Sequence, residues 1–422
     1  MPEEIEAVEA PFEMPKMMRP TFPDRRADIA KEGAEEGVLC TGIIQNVIDR
    51  LSRKGGGTVI IPRGKWLTGR ISLKDNIELH LEEGAELHFS GMIKDYLAAV
   101  PTRNEGMDVY SLGAMIYADG ASNIALTGKG KLVAPPRDCE MSARQQGGVK
   151  ESLNDIPPEQ RIFDGRDGDK VFLPVFFGPV NCNGVFVEGV TFERSIFWNI
   201  AVTYCRDIII RGVTVNSHGA GRTDGIDIDS SVNALIEYAV LDCGDDCIAL
   251  KAGRSYDGVR KGRPSENIVI RKCRIKRGVG GITIGTETAG TIRNVYARDC
   301  VMDNASYPVY MKTRRPRGGG AENIRLERIA INSAKNAAFH WDMLGSVNWI
   351  GELAQRYPAR EVNELTPKFR DFFFKDITIR NAPSLARAKG LPESPIENII
   401  FENITCDSMK MDMQDVSNFT IK

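Results

Sequence analysis

Glu266-Asn-Ile-Val-Ile-Arg271 is a polar pair ending in Asn, then alternating branched residues, then a polar break. The same phrase stands at Arg206-Asp-Ile-Ile-Ile-Arg211, Arg293-Asn-Val-Tyr-Ala-Arg298 and Glu322-Asn-Ile-Arg-Leu-Glu327. Working outward, it returns at Asp75, Ser122, Asn183 and Asn233 on one side and at Arg370, Glu397 and Ser417 on the other. The central copies recur at intervals of roughly 23 to 33 residues, a period that marks solenoids and propellers. A second short strand follows several copies, as in Gly189-Val-Thr-Phe192, Gly212-Val-Thr-Val215 and Asp376-Ile-Thr-Ile379. Two or three short strands per repeat make one coil, with every second side chain turned to the axis and Asn or Asp at the bend. A propeller blade would need four antiparallel strands joined by tight two-residue turns, which the repeats do not show. The pattern therefore predicts an all-β chain, a right-handed parallel β-helix.

Length fits that reading. A core of 422 residues is long for one globular unit, but a solenoid adds coils without enclosing a larger core. Forty-one glycines suit many short strands and turns. Ile43, Ile44, Val47, Ile48 and Leu51 fall at helical spacing before Gly55 to Gly57, which predicts a short helix capping the first coil. Residues 1–24 read as an N-terminal extension and 25–422 as a single β-helix domain. Two stretches break the repeat, residues 137–172 and 341–368, and long insertions in a solenoid are candidate walls of a binding groove.

Composition excludes several function classes. A net charge of -2 argues against a non-specific nucleic-acid or anionic-membrane binder. No stretch is long and apolar enough to cross a membrane. The nine cysteines show no CxxC pairing, and several fall in apolar strands as small buried thiols, so neither zinc nor a disulfide framework is expected. The acidic opening MPEEIEAVEA lacks the apolar core of a secretory signal, which leaves either a cytoplasmic chain or one whose signal has been removed.

The densest acidic cluster lies in two neighbouring coils, Arg222-Thr-Asp-Gly-Ile-Asp-Ile-Asp-Ser230 and Cys243-Gly-Asp-Asp-Cys-Ile-Ala-Leu-Lys251. Coils in register lie about 4.8 Å apart, so Asp224, Asp245 and Asp246 would share one patch. Like charges that close raise one another's pKa, so that one carboxyl can stay protonated as an acid while others act as base. Glycosidic hydrolysis needs that division. Adjacent Asp245 and Asp246 should point to opposite sides of a regular strand, unless the chain bends there. A turn or a calcium site is the alternative reading of such residues.

Thr223-Asp-Gly-Ile-Asp227, Gly244-Asp-Asp-Cys-Ile-Ala-Leu-Lys251, Gly281-Ile-Thr-Ile-Gly285 and Lys312-Thr-Arg-Arg-Pro-Arg-Gly-Gly-Gly320 resemble the glycoside hydrolases of family 28, the family containing polygalacturonases. Gly55-Gly-Gly-Thr-Val-Ile-Ile-Pro-Arg-Gly64 and Gly69-Arg-Ile-Ser-Leu-Lys74 are similar to it as well, and the likeness runs from about Phe22 onward. The resemblance implies a right-handed β-helix, inverting cleavage of a pectic oligo- or polysaccharide, and no cofactor or metal. By the same resemblance Asp246 is the general acid, Asp224 and Asp245 hold and activate water, and Lys312 binds sugar on the leaving-group side. His218 lies in a stretch similar to one in bacterial members, and either binds substrate or is structural.

Three residues depart from the family pattern. Val279 stands where a histidine is typical, Tyr310 where an arginine pairs with a substrate carboxylate, and Arg222 where an asparagine is usual. This pattern looks closer to rhamnogalacturonan hydrolases, which implies an exo-acting cut between galacturonic acid and rhamnose, with Tyr310 against the deoxy sugar. The alternatives are a polygalacturonase on homogalacturonan in which Arg314, Arg315 or Arg317 replaces the missing arginine, a calcium-dependent pectate-lyase-like enzyme, and a non-catalytic carbohydrate-binding β-helix. A monomer is expected, secreted or periplasmic by resemblance, with a cytoplasmic chain the alternative.

Overall fold

A computed structural model describes residues 1–422, the side chain of Asp167 excepted. Its strands pair in parallel from coil to coil through a right-handed β-helix. A typical coil has three strands. Ile200–Thr203 (β1) leads to Arg206–Arg211 and Thr214–Asn216, and the next coil begins with Ile226–Asp229 (β2). The face that begins with β1 and β2 continues through Ile248–Lys251 (β3), Arg274–Ile284 (β4), Ala305–Lys312 (β5) and Phe339–Asp342 (β6).

The repeated phrase has a physical cause. Its Asn or Asp occupies the left-handed region, with φ of 56° at Asp207, 60° at Asn233, 59° at Asn267, 55° at Asn294 and 53° at Asn323. Asn is one of the few side-chain-bearing types that visits this region readily. The same side chains form a ladder: Asn233 donates to Asp207 at 2.9 Å, Asn267 to Asn233 at 3.3 Å, Asn294 to Asn267 at 3.0 Å and Asn323 to Asn294 at 2.7 Å. Asn or Asp thus bends each of these coils and locks it to its neighbour.

Inside, Ile226, Ile228, Ile248, Leu250, Ile282 and Ile284 stack with no exposed surface. Each such side chain contributes roughly 1.5–3 kcal/mol. Seven of the nine cysteines are buried, all nine are free, and Cys139 and Cys406 are half-buried. The helix Thr41–Arg53 buries Ile44, Val47, Ile48 and Leu51 over the first coils, as its spacing predicts.

Residues before the first strand run along the outer surface. Ile5, Val8, Phe12, Met14 and Met17 pack on outward-facing Ala125, Phe186, Ile209, Leu235 and Val269. Arg211 and Arg271, both fully buried, share Glu237 at 2.8 Å each and donate to the carbonyls of Pro2, Glu3, Glu6 and Ala7.

The two interruptions of the repeat flank one face. The first joins the antiparallel pair Val100–Asn104 and Met107–Ser111 in a small apolar cluster of Met107, Val109, Val149 and Phe172. It is clamped to later coils by Arg161–Asp257 at 2.8 Å, Arg254–Glu151 at 2.7 Å and Arg103–Asp229 at 2.9 Å. The second is held by buried Arg315, which pairs with Glu393 at 2.5 Å and donates to the carbonyls of Leu353, Gln355 and Arg356. Both carry residues into the same cavity.

Candidate active site

Register turns β1 to β6 into a grid. One outward column runs Ala201, Asp227, Ala249, Thr283, Tyr310 and His340. A second passes through Asp229, Lys251, Lys312 and Asp342, because Leu250 pairs with Ile284 and Ile284 with Met311. A third lies just before the strands. The backbone of Asn199 donates to Asp224 O at 2.9 Å, Gly225 to Asp246 O at 2.9 Å, and Cys247 to Gly280 O at 2.8 Å, so Asp224 and Asp246 stack in successive coils.

Strict alternation would bury Asp224 and Asp246 beside Ile226 and Ile248. Bends at Gly225 and Cys247 turn them into the cavity instead, and a further bend at Gly244 and Asp245 brings Asp245 to the same side. The opposed orientation expected of a regular strand is absent for that reason. Gly244 is required there, since any Cβ would collide with the carbonyl of Ala220. A Cβ at Gly280 would likewise meet Asp246 Oδ1.

The cavity, about 660 Å³, brings together Asp224, Asp245, Asp246, Lys312, Tyr310 and Arg222. Asp246 is 1% exposed; its Oδ2 accepts from Lys312 Nζ at 2.8 Å while Oδ1 has no partner among the described residues. Asp245 Oδ2 accepts the backbone N–H of Arg222 at 3.0 Å, and Arg222, at φ 61°, lays its guanidinium over Phe197 and donates to Glu105 at 2.8 Å. Tyr310 stacks on Tyr307 at 4.4 Å and meets His340 in a T-shaped contact at 5.4 Å, and the Lys312 ammonium sits 4.8 Å from its ring centre. His218 stands outside this lining, exposed, with Nδ1 3.1 Å from the carbonyl of Cys243. Val279 donates its N–H to Asp245 O at 2.9 Å.

Sequence reasoning missed the group behind the aspartates. Lys251, 4% exposed, holds Glu287 at 3.5 Å, Asp227 at 3.6 Å and Asp224 at 3.7 Å, with the Trp198 ring 4.8 Å away. Lys251 was in plain view at the end of the Gly-Asp-Asp motif, but Glu287 and Trp198 lie in other coils and carry no local signal. Arg254, Arg314 and Arg317 also line the cavity, as do Trp198, Glu287 and Trp349.

Burial dominates the electrostatics. Burial, then the charges of Asp227 and Asp245, hold the Asp224 carboxyl well above the usual range. Asp245 is raised by burial and by Asp246, against the pull of Lys312. Asp227, fully buried with neither oxygen hydrogen-bonded, is pushed up to about 8 by burial, despite Lys251. Burial disfavours the Lys251 ammonium, but Glu287, Asp227 and Asp224 outweigh it and hold the group charged. Burial would raise Glu287 too, yet Lys251 and Arg317 keep it below the usual range. The aspartates therefore compete for protons, while Lys251 and Lys312 supply positive charge beside them.

A family model for glycosyl hydrolases family 28 matches residues 165–339. A curated protein of Vitis vinifera described as "Probable polygalacturonase" is 27% identical over 380 residues, 87% of this chain and 71% of that protein. The exo-poly-alpha-D-galacturonosidase of Dickeya chrysanthemi is 24% identical over 374 residues, 82% of this chain and 60% of the relative. Among solved structures, a hyperthermoactive exopolygalacturonase from Thermotoga maritima superposes with a TM-score of 0.82 at 29% identity, covering 96% of this chain and 94% of that one. The polygalacturonase of Erwinia carotovora, at 19% identity and a TM-score of 0.65, shares the fold.

Proposed function

The chain belongs to glycoside hydrolase family 28, and from that premise we propose that it hydrolyses galacturonic acid linkages of pectic oligosaccharides, with inversion and from a chain end. The observation that carries this reading is the stacking of Asp224 and Asp246 in successive coils of one cavity, with Asp245 bent in beside them. Asp246 donates its proton to the glycosidic oxygen as the bond to the anomeric carbon breaks. A water held by Asp224 and Asp245 attacks that carbon from the opposite face and gives up a proton to one of them. Lys312, 2.8 Å from Asp246, lies where it can turn to a substrate carboxylate. Exo action rests on the walls. Gly148 and Val149 of one insertion meet the cavity beside Glu105 and Arg222, and Gly345, Ser346, Trp349 and Ile350 of the other meet it beside Arg314, several coils further on.

Proton NMR of the first-formed product tests the mechanism: an initial anomer of inverted configuration is expected, and retained configuration would rule it out. For exo action, mono- or disaccharide should accumulate while polymer viscosity falls slowly.

A second reading, cleavage of the galacturonic acid to rhamnose bond, is favoured by Tyr310 lining the cavity in place of an arginine. Against it, one face of that ring is taken by Tyr307. Matched oligosaccharides of both kinds decide between the two by kcat/KM. The family resemblance also supports a secreted or periplasmic chain, which fractionation of the source cells would test.

A further inference from the structure

Six cationic side chains line the cavity, and five of them are already paired. Arg222 meets Glu105 at 2.8 Å, Lys312 meets Asp246 at 2.8 Å, and Lys251 holds three carboxylates. Arg254 meets Glu151 at 2.7 Å, and Arg317 meets Glu151 at 3.2 Å. The sixth, Arg314, has no carboxylate within 4.0 Å among the described residues. Its one hydrogen bond runs from Nη2 to Thr286 Oγ1 at 3.2 Å, and its buried Nε has no partner. A guanidinium in a cavity rich in acids, kept from all of them, is a fork of donors left open for an incoming anion.

A second feature lies beside it. Trp349 is 78% exposed, whereas Trp66, Trp198 and Trp341 are 7% exposed or less. It sits on the short turn Val347–Ile350 and lines the same cavity. Gly345 of that segment packs on the aliphatic stem of Arg314, since a Cβ there would lie 3.5 Å from Arg314 Cβ and Cδ. The packing sets the segment that carries the indole against the residue that carries the guanidinium, and both line the one cavity. An indole presents a flat apolar face with one N–H, suited to the C–H face of a sugar ring.

We propose that Arg314 and Trp349 form a uronate subsite, in which the guanidinium takes the carboxylate of a galacturonic acid unit and the indole covers its ring. The subsite takes its arginine from two residues past Lys312 in the chain, so that one segment lines the cavity with both cations. It rests on the function proposed above and specifies which sugar feature that cavity reads.

The test measures kcat/KM of the wild type, Arg314→Gln and Arg314→Lys on trigalacturonate and on its methyl ester, with melting curves to check folding. Loss of a charge-assisted pair lowers kcat/KM on trigalacturonate by about 10- to 100-fold. The methyl ester, which has no charge to lose, is unaffected, and Arg314→Lys recovers part of the preference. Trp349→Ala raises KM on both substrates and leaves their ratio unchanged. An acid-to-ester ratio in Arg314→Gln equal to that of the wild type overturns the subsite while leaving the proposed function standing. Absence of turnover of either substrate by the wild type overturns the proposed function first. If Arg314→Gln does not fold, the ratio measured with Arg314→Lys decides alone: unchanged, it overturns the subsite.

Discussion

Two carboxyls in one site differ in what they ask of a proton. Asp246 faces the cavity with a free Oδ1, and replacing it by Asn keeps shape while removing the transferable proton. Turnover by Asp246→Asn should fall by about 10² to 10⁴ in a protein that still unfolds cooperatively, which a discontinuous assay and calorimetry would show. Asp227 lies behind it, fully buried, and binds its proton more tightly folded than unfolded. Stability from such a group is complete below the unfolded value of 3.8 and is lost as pH rises through about 8. Asp227→Asn has no proton to lose. Its Tm should therefore gain on the wild type progressively between pH 4 and pH 8, and a difference that stays constant across that range would refute the buried-acid assignment. The sequence showed Asp227 only as part of a motif; its role depends on Lys251 and Glu287, which long-range register brings beside it.

At the scale of the coil, the Asn ladder is where sequence and structure agree most closely. Asn294 accepts from Asn323 at 2.7 Å, donates to Asn267 at 3.0 Å, and holds φ at 55°. Ala removes both hydrogen bonds, at about 1 kcal/mol each, and adds about 1–2 kcal/mol of left-handed strain. Gly removes the bonds without the strain. Urea denaturation should accordingly rank the variants Asn294, then Gly, then Ala, with Gly above Ala by about 1 kcal/mol. The repeat was legible because Asn or Asp performs the same local task in most coils. The bends at Gly225, Gly244 and Cys247 were not, because they override the alternation that made the strands readable. The sequence named the aspartates, and only the bends show how all three reach one cavity.

Over the whole molecule, the insertions decide whether the β-helix presents an open groove or a closed cavity. Their positions could be read as breaks in the repeat, but their destination could not, since it depends on distant ion pairs such as Arg161–Asp257 and Arg315–Glu393. Exo action places a specific demand on the second insertion. Its tip, Ser346–Ile350, lies between Gly345 and Gly351, both at positive φ, while the carbonyls that anchor the loop to Arg315 begin at Leu353. The tip can therefore be exchanged for a Gly-Ser link without releasing the anchor. Removing it takes Trp349 and Ile350 from one end of the cavity and leaves Asp224, Asp245 and Asp246 untouched. If that wall limits the enzyme to chain ends, the shortened protein should cut within polygalacturonate, and viscosity should fall several-fold faster per bond cleaved. Trp349→Ala separates the two contributions, because it removes the indole but keeps the backbone of the wall. Its viscosity profile should match that of the wild type. An identical profile for the shortened protein would show that this loop does not block the chain, and would leave the hairpin side, at Glu105 and Val149, as the end that does.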